Sequence, residues 1–524
     1  MRAPSESNPI RRWAIDAALV RASCVALFVC VSGCGGGSAG GPASPSTTLA
    51  PDPALDTTQP PLAPATLVVG TPLSIDGGAT GNPVELRVVR GANGDGFAVW
   101  QASRPEDMTN IPSLLWVNRY RAATSAWGTP VNIATGAMSR GDFDLTVDRS
   151  GSAVVAWGTY PGDPNTQLGA VKSARFDAST GAWAMPVLLN SNGAQPRLAS
   201  NASGAVLVVY SVVQAPSTPA SLNSRVKGRF LDPASGTWQP ETLIEQNHLE
   251  DNSVTFQAQP SLDGSDNALV AFSTGIEPSG FEEHTLASNY YSRSAGTWGE
   301  LPPDDSGLFG VVPDSLGTQN GLQLVATIDG NFLAAWRNSF NPQAYEIVIA
   351  RFTSRTRTWT GKQTLIPGDT SLQLHRIGSD ANGNVHLMWT EWNGTRLALK
   401  AARLEPGATS CGAVQLIDRA VGGHVPFLAA LAVDPRGDAI AIWDRVEGDG
   451  SEAPSNIAIN RFDRVTGTWA SAVLVEGQAD IAFSSRRPSA SASGGQALLG
   501  WIQPEGGANR IKALLQSLDS PPSQ

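Results

Sequence analysis

Five histidines, His248, His284, His375, His386 and His424, are where metal or acid–base chemistry would first be sought in this sequence. They form no His-x-His, His-Glu-x-x-His or Cys-His cluster of the kind that gathers donors around one ion. His375 and His386 flank one expected hairpin and could share a face, but no third ligand accompanies them. The acidic stretches "EGDGSE" (447–452) and "FEEH" (281–284) fall in expected loops, where solvated surface is the default, and the first lacks the ligand alternation of an EF-hand. Phosphate-cradling loops, nucleophile elbows and dinucleotide fingerprints do not occur. No metal and no cofactor is therefore expected. What holds the polar side chains must be read from the scaffold.

Composition points to strands and turns. Charged residues make up only 16% of the 524-residue chain, and Gly alone accounts for 54 positions, a mixture that suits exposed strand faces better than surface helices. The formal net charge is −10 and no basic run follows residue 40, so nucleic acid is not an expected partner.

From residue 67 onward the chain repeats itself. An apolar tetrad ending in an aromatic recurs as "FAVW" (Trp100), "VVAW" (Trp157), "LVVY" (Tyr210), "LVAF" (Phe272), "LAAW" (Trp336), "HLMW" (Trp389), "IAIW" (Trp443) and "LLGW" (Trp501). The spacings are 57, 53, 62, 64, 53, 54 and 58 residues. A turn signal often precedes the aromatic, as in "DRSG" (148–151), "NASG" (201–204), "DANG" (380–383) and "DPRG" (434–437), where Asp or Asn caps the turn and Gly takes the positive φ. Each tetrad thus ends the second strand of a hairpin.

The second half of each unit is equally regular. "RYRAATSAW", "RFDASTGAW", "RFLDPASGTW", "YYSRSAGTW", "RFTSRTRTW" and "RFDRVTGTW" each give a strand, a turn and a closing strand opening at Trp127, Trp183, Trp238, Trp298, Trp359 or Trp469. In the sixth unit the same count of eight from Arg403 lands on Cys411, which the pattern reads as a core residue in place of Trp. Four short strands in each of eight units predict an all-β fold, an eight-bladed β-propeller of four-stranded antiparallel blades over 67–518, with a short tail at 519–524. The repeated aromatics are expected in the core, each burying about 200 Å², an upper contribution on the order of 5 kcal/mol.

The last unit runs through "NRIKALLQSL" (509–518) without a closing strand, while "VGTPLSI" (69–75) stands alone ahead of the first unit and matches that unit's closing strand "WGTPVNI" (127–133). The N-terminal strand is therefore expected to complete the last blade and close the ring. Closure protects edges that would otherwise template association, and a monomeric domain is expected.

Ahead of the repeats, Arg2, Arg11, Arg12 and Arg21 precede the apolar stretch "ASCVALFVCV" (22–31), which is too short to cross about 30 Å of hydrocarbon. "VSGC" (31–34) then resembles the bacterial lipoprotein lipobox. The resemblance implies a signal peptide over 1–33 and lipidation of Cys34, with membrane association through several acyl chains. Gly35 stands where Asp would mark inner-membrane retention, so a cell-envelope protein on the outer membrane is expected. Cleavage would remove four arginines and two acids, taking the charge to −10 − 4 + 2 = −12. Residues 34–66, rich in Gly, Pro, Ser and Thr, read as a disordered tether. Cys24 and Cys30 leave with the signal, so Cys411 has no partner for a disulfide within the mature chain.

The blade plan resembles the kelch repeat, with the kelch glycine pair replaced by the aromatic tetrads, and "DRVTGTW" (463–469) is similar to the end of a sialidase Asp box, although Asp463 stands four residues before Gly467 where the box has two. The sialidase resemblance implies a glycoside-active site in the central funnel with an arginine triad, a Tyr–Glu pair and an acid. Arg87, Arg140, Arg197, Arg376 and Arg487 fall at or near inner-strand positions. The leading expectation is a binding or scaffold module for a protein or glycan, more a binder than an enzyme. The alternative is a sialidase-like enzyme, marked by arginines and carboxylates converging in the centre.

Overall fold

The computed structural model describes residues 67–78, 81–104, 111–160, 169–214, 223–245, 253–276, 285–299, 301, 310–313, 315, 318–341, 344–367, 372–392, 397–419, 424–447, 455–475 and 487–519. They form eight antiparallel sheets in chain order, and in each the first strand pairs with the second and the second with the third. The eight first strands are Asn82–Arg90, Met138–Val147, Gly193–Ser200, Ser253–Leu262, Thr318–Ala326, Gln373–Ser379, His424–Val433 and Ser489–Ser493. Each contacts the first strand before and after it, and the last contacts the first, so they line the centre of a closed ring. The protein is an eight-bladed β-propeller.

The orphan strand closes the ring. Leu73 pairs with Ala513 and Ser74 with Lys512 in the last blade. Ile75 N–H continues the ladder to Ile511 O at 2.9 Å. Asp76, itself buried, accepts the Ile511 N–H at 3.3 Å. In blade 1, Val131 and Asn132 hold the places of Leu73 and Ser74, pairing with Val117 and Trp116, so the sequence match carries over to register.

The fourth strand differs from the simple four-strand expectation. In blades 1, 2, 3, 5 and 7 it is broken into a two-residue piece ending at Trp127, Trp183, Trp238, Trp359 or Trp469 and a second piece beyond a gap. Pro130, Pro186 and Pro240 fall in three of those gaps, where a residue without an N–H interrupts an edge ladder.

The aromatics divide accordingly. Trp100, Trp157, Tyr210, Phe272, Trp336, Trp389, Trp443 and Trp501 are each at most 1% exposed. Trp127, Trp183, Trp238, Trp298, Trp359 and Trp469 are only half-buried, which corrects their expected core placement: they stand on the outermost strand, which has a neighbour on one side only. They pack on aromatics of their own blades, as Trp183 does on Phe176 at 5.6 Å, and two reach the preceding blade, Trp238 Nε1 donating to Ser173 Oγ at 2.7 Å and Trp359 Nε1 to Ser288 Oγ at 2.8 Å. Cys411 keeps the Trp place. Gly412 N–H bonds Arg403 O at 2.9 Å, as Ala184 N–H bonds Arg175 O and Ala470 N–H bonds Arg461 O, and the thiol, packed against the core of blade 6, is pushed up to about 11 by burial.

The two faces of the ring are unlike. First and second strands join through five-residue turns in seven blades (91–95, 148–152, 201–205, 263–267, 327–331, 380–384 and 434–438). Asp148, Asn201, Asp263 and Asp380 cap four of them, each side-chain oxygen accepting the N–H four residues on, at 2.9 to 3.0 Å. On the opposite face, connections from second to third strands span two residues (342–343) to eleven (160–170), and those between blades reach eighteen (300–317).

Candidate functional site

The first strands enter from the loop face and carry a fault at a shared level. The pairing register shifts between Pro83 and Glu85, Met138 and Phe143, Ala194 and Arg197, Phe256 and Gln259, Asn320 and Gln323, Leu374 and Arg376, and Phe427 and Ala429. Such a bulge inserts an extra residue and re-aims the side chains beside it. The chain turns left-handed there at Gly141, Gln195, Gln257, Gly321 and Leu428, and at Arg487 just ahead of the eighth first strand.

Past the bulge, register sets four charged residues level. Arg87, Asp144, Arg197 and Arg376 pair with Val99, Ala156, Val209 and Met388, each the residue before a tetrad aromatic. They come from blades 1, 2, 3 and 6, and in a ring of eight the sixth blade faces the second. The Arg376 guanidinium is accordingly lowered below the ordinary arginine range, first by lost solvation and then by the like charges of Arg87 and Arg197, with Asp144 acting the other way. Its side chain is exposed to the channel. No hydrogen bond or ion pair engages it among the described residues.

The remaining charges interlock. Arg87 Nε lies 3.8 Å from Asp144, whose other oxygen accepts the Leu198 N–H at 3.0 Å. Glu85 sits between Arg140 at 3.5 Å and Arg487 at 3.4 Å. Asp142 accepts the Gln195 N–H at 3.1 Å, over Gly158, where any Cβ would come within 2.1 Å of that carboxylate. Arg197 Nη1 donates to Pro196 O at 2.8 Å. Among the described residues, these five arginines against three carboxylates leave 5 − 3 = 2 positive charges, in a chain whose formal net charge is −10. A basic focus with low-dielectric walls inside an acidic protein selects anions, and guanidinium forks suit carboxylate or sulfate oxygens.

The turn-side half of the channel is different. It holds a cavity of about 350 Å³ lined by hydroxyls and aliphatic groups, among them Thr146, Ser200, Ser261 and Ser379. Several of these hydroxyls are already used between blades: Thr146 and Ser200 share a hydrogen bond at 2.6 Å, Ser200 donates to Val147 O at 3.0 Å and Ser379 to Ala326 O at 3.0 Å.

Of the other residues singled out from the sequence, His386 lies 2% exposed against Phe462 at the seam of blades 6 and 7, and burial lowers its pKa to about 4. His375 occupies the blade 6 bulge. Cys34, the 34–66 tether and "FEEH" lie outside the described residues, as does all but the first residue of "EGDGSE". No group of three or more His, Cys, Asp or Glu gathers as a metal site among the described residues, and no helix there is long and apolar enough to cross a membrane. Sequence reasoning missed Asp142, Asp144 and Glu85: Asp142 and Glu85 sit two residues from the flagged Arg140 and Arg87, and Asp144 four from Arg140, but they signal nothing until the bulge fixes which way they face.

No protein-family model matches this chain, and no curated protein matches it. Among solved structures it is similar to a PL25 ulvan lyase, a polysaccharide lyase, at 14% identity and a TM-score of 0.44, covering 79% of this chain and 95% of that one. It is similar to a fungal alcohol oxidase of the AA5 family in complex with copper at 15% identity and a TM-score of 0.41, covering 72% and 73%. An α-L-arabinofuranosidase from Fusarium graminearum is similar at 11% identity and a TM-score of 0.35, covering 65% and 99%.

Proposed function

We propose that this protein is a cell-envelope binding module that holds an acidic glycan in the loop-side half of its central channel, with the glycan's negative groups on Arg376, Arg87 and Arg197. The observation that carries the reading is Arg376: a cation open to the channel, level with Arg87 and Arg197 and engaged by no described partner. Like charges gathered at one level repel one another, and an anion between them relieves that repulsion. The channel is a passage lined by the eight first strands, which suits an extended sugar chain. Each carboxylate in the cluster is already held by a cation or a backbone N–H, an arrangement that serves to position the arginines.

Calorimetry of the mature protein with a uronate oligosaccharide and its neutral counterpart tests this. Binding of the uronate alone is expected, weakening with salt, and Arg376→Ala is expected to weaken it roughly 10- to 100-fold, about 1.4–2.7 kcal/mol. Equal binding of the neutral sugar, or indifference to Arg376→Ala, overturns the reading. A glycoside-active function is the second reading, favoured by the closeness of Glu85, Asp142 and Asp144 to the arginines; release of new reducing ends or unsaturated products, abolished by changing one of these acids, would establish it. Anchoring through Cys34 on the outer membrane is part of the proposal. Labelling with a fatty-acid analogue should follow Cys34 and disappear in Cys34→Ser, with the protein in the outer-membrane fraction.

A further inference from the structure

The turn-side cavity offers a chemistry opposite to that of the arginine level. None of its eleven lining residues is charged, and its volume of about 350 Å³ falls within the range of pockets that take small ligands. Its hydroxyl protons can be followed one by one. Ser200 Oγ donates to Val147 O, so in its 2.6 Å contact with Thr146 it accepts and Thr146 donates. Ser379 Oγ donates to Ala326 O. These three hydroxyls have no proton left to give, but they keep lone pairs that can accept.

Ser261 is the exception. Register sets it level with Thr146: the two pair with Leu269 and Val154, each the first residue of its blade's tetrad. Thr146 gives its proton to Ser200 in the next blade. In the blade after Ser261 that place belongs to Ala326, since Ser200 and Ala326 pair with Val206 and Phe332, each the residue ahead of its tetrad. Alanine has no side-chain oxygen to receive a proton. Ser261 is 8% exposed, and no described residue hydrogen-bonds its hydroxyl.

One donor among several acceptors is the complement of a neutral sugar, whose hydroxyls can give protons to Thr146, Ser200 or Ser379 and take one from Ser261. An anion brings no protons and would face lone pairs. Leu198, Leu262, Leu324 and Pro260 add apolar surface for the C–H face of a sugar ring. The cavity also continues the strands that carry the charges. Ser200 lies three residues past Arg197 and Thr146 two past Asp144, about 7 to 10 Å along a strand.

We infer that the turn-side cavity is a subsite for an uncharged sugar unit, with Ser261 donating to one of its hydroxyls while the neighbouring acidic unit lies on the arginines. This rests on the acidic-glycan reading and adds a preference to it: a chain that alternates uronate with neutral sugar is favoured over one built of uronate alone, which would put a carboxylate into a chamber without a cation.

The test is calorimetry with an oligosaccharide alternating uronate and neutral hexose, set against an oligouronate with the same number of carboxylates. Ser261→Ala removes the donor. Ala326→Ser gives Ser261 the partner that Thr146 has, and should hold or raise the Tm. The wild type is expected to favour the alternating chain, and each variant to weaken that chain roughly three- to tenfold, the size of one hydrogen bond, with oligouronate binding unchanged. Equal wild-type binding of the two oligosaccharides overturns the subsite and leaves the arginine reading standing, provided Arg376→Ala still weakens both. Unchanged affinity for the alternating chain in the two variants overturns it too, as does an equal loss for both chains, since the substitutions would then act through the arginines. A loss confined to Ser261→Ala, with a Tm several degrees lower, assigns the serine to packing and overturns it as well. Failure of the wild type to bind any uronate overturns both readings.

Discussion

The two halves of the channel are made from the same eight strands, yet they use their polar groups in opposite ways. On the turn side, Thr146, Ser200 and Ser379 hydrogen-bond one another or backbone carbonyls, and the turns below repeat one length and one capping scheme. On the loop side, bulges break the ladder, the connections vary widely in length, and Arg376 is left with charge to give. Regularity marks where polar groups have been consumed in holding blades together. Under the acidic-glycan proposal, irregularity marks where a cation, Arg376, has been kept for a ligand.

If stability and recognition are separated in this way, substitutions should sort by place. The largest effect on stability is expected at the buried tetrads: Trp157→Ala should cost about 4 kcal/mol in denaturant unfolding, and Trp183→Ala on the edge strand about half of that. Equal costs would erase the distinction between inner and outer aromatics. Next comes acid. His386 is neutral in the fold and burial lowers its pKa to about 4, so between pH 6.5 and 4 the unfolded chain takes up the proton first. Stability is full above that window and falls by up to roughly 3 kcal/mol across it, and His386→Leu should remove that part of the slope. On the turn face, fully buried Asp434 accepts Gly495 N–H at 2.8 Å and Arg436 N–H at 2.9 Å, joining the turns of blades 7 and 8. Asp434→Ala should cost about 2 kcal/mol and leave ligand binding untouched. The smallest effect on stability is expected at Arg376→Ala, which removes a cation from among like charges. Its Tm should hold or rise while binding is lost, and a marked fall in Tm would mean that this residue belongs to the scaffold.

Blade number and closure were readable because an aromatic at a fixed period and a displaced copy of a closing strand are one-dimensional signals. Cys411 was readable for the same reason: position within a repeat survives a change of residue. The half-exposure of Trp183 and its equivalents was not, because the same motif is buried or exposed according to whether a further strand lies beyond it. The site was half-legible. Arg87, Arg197 and Arg376 could be placed on inner strands, but an extra residue in each strand shifts every following side chain to the other face, and only pairing reveals it. Asp144 therefore reads as one more strand residue in the sequence and as the partner of Arg87 in the fold.

The joint between Ser74 and Lys512 has a temporal side. Lys512 Nζ donates to Ser74 Oγ across 438 residues of chain, so a ribosome delivers one half of this contact long before the other. The earliest strand of the ring must wait, unpaired, for the newest, and assembly is completed by the slowest kind of encounter a chain can make. A nascent ring that stalls short of residue 513 would expose the flank of its first blade, the very place where a chaperone would be of use.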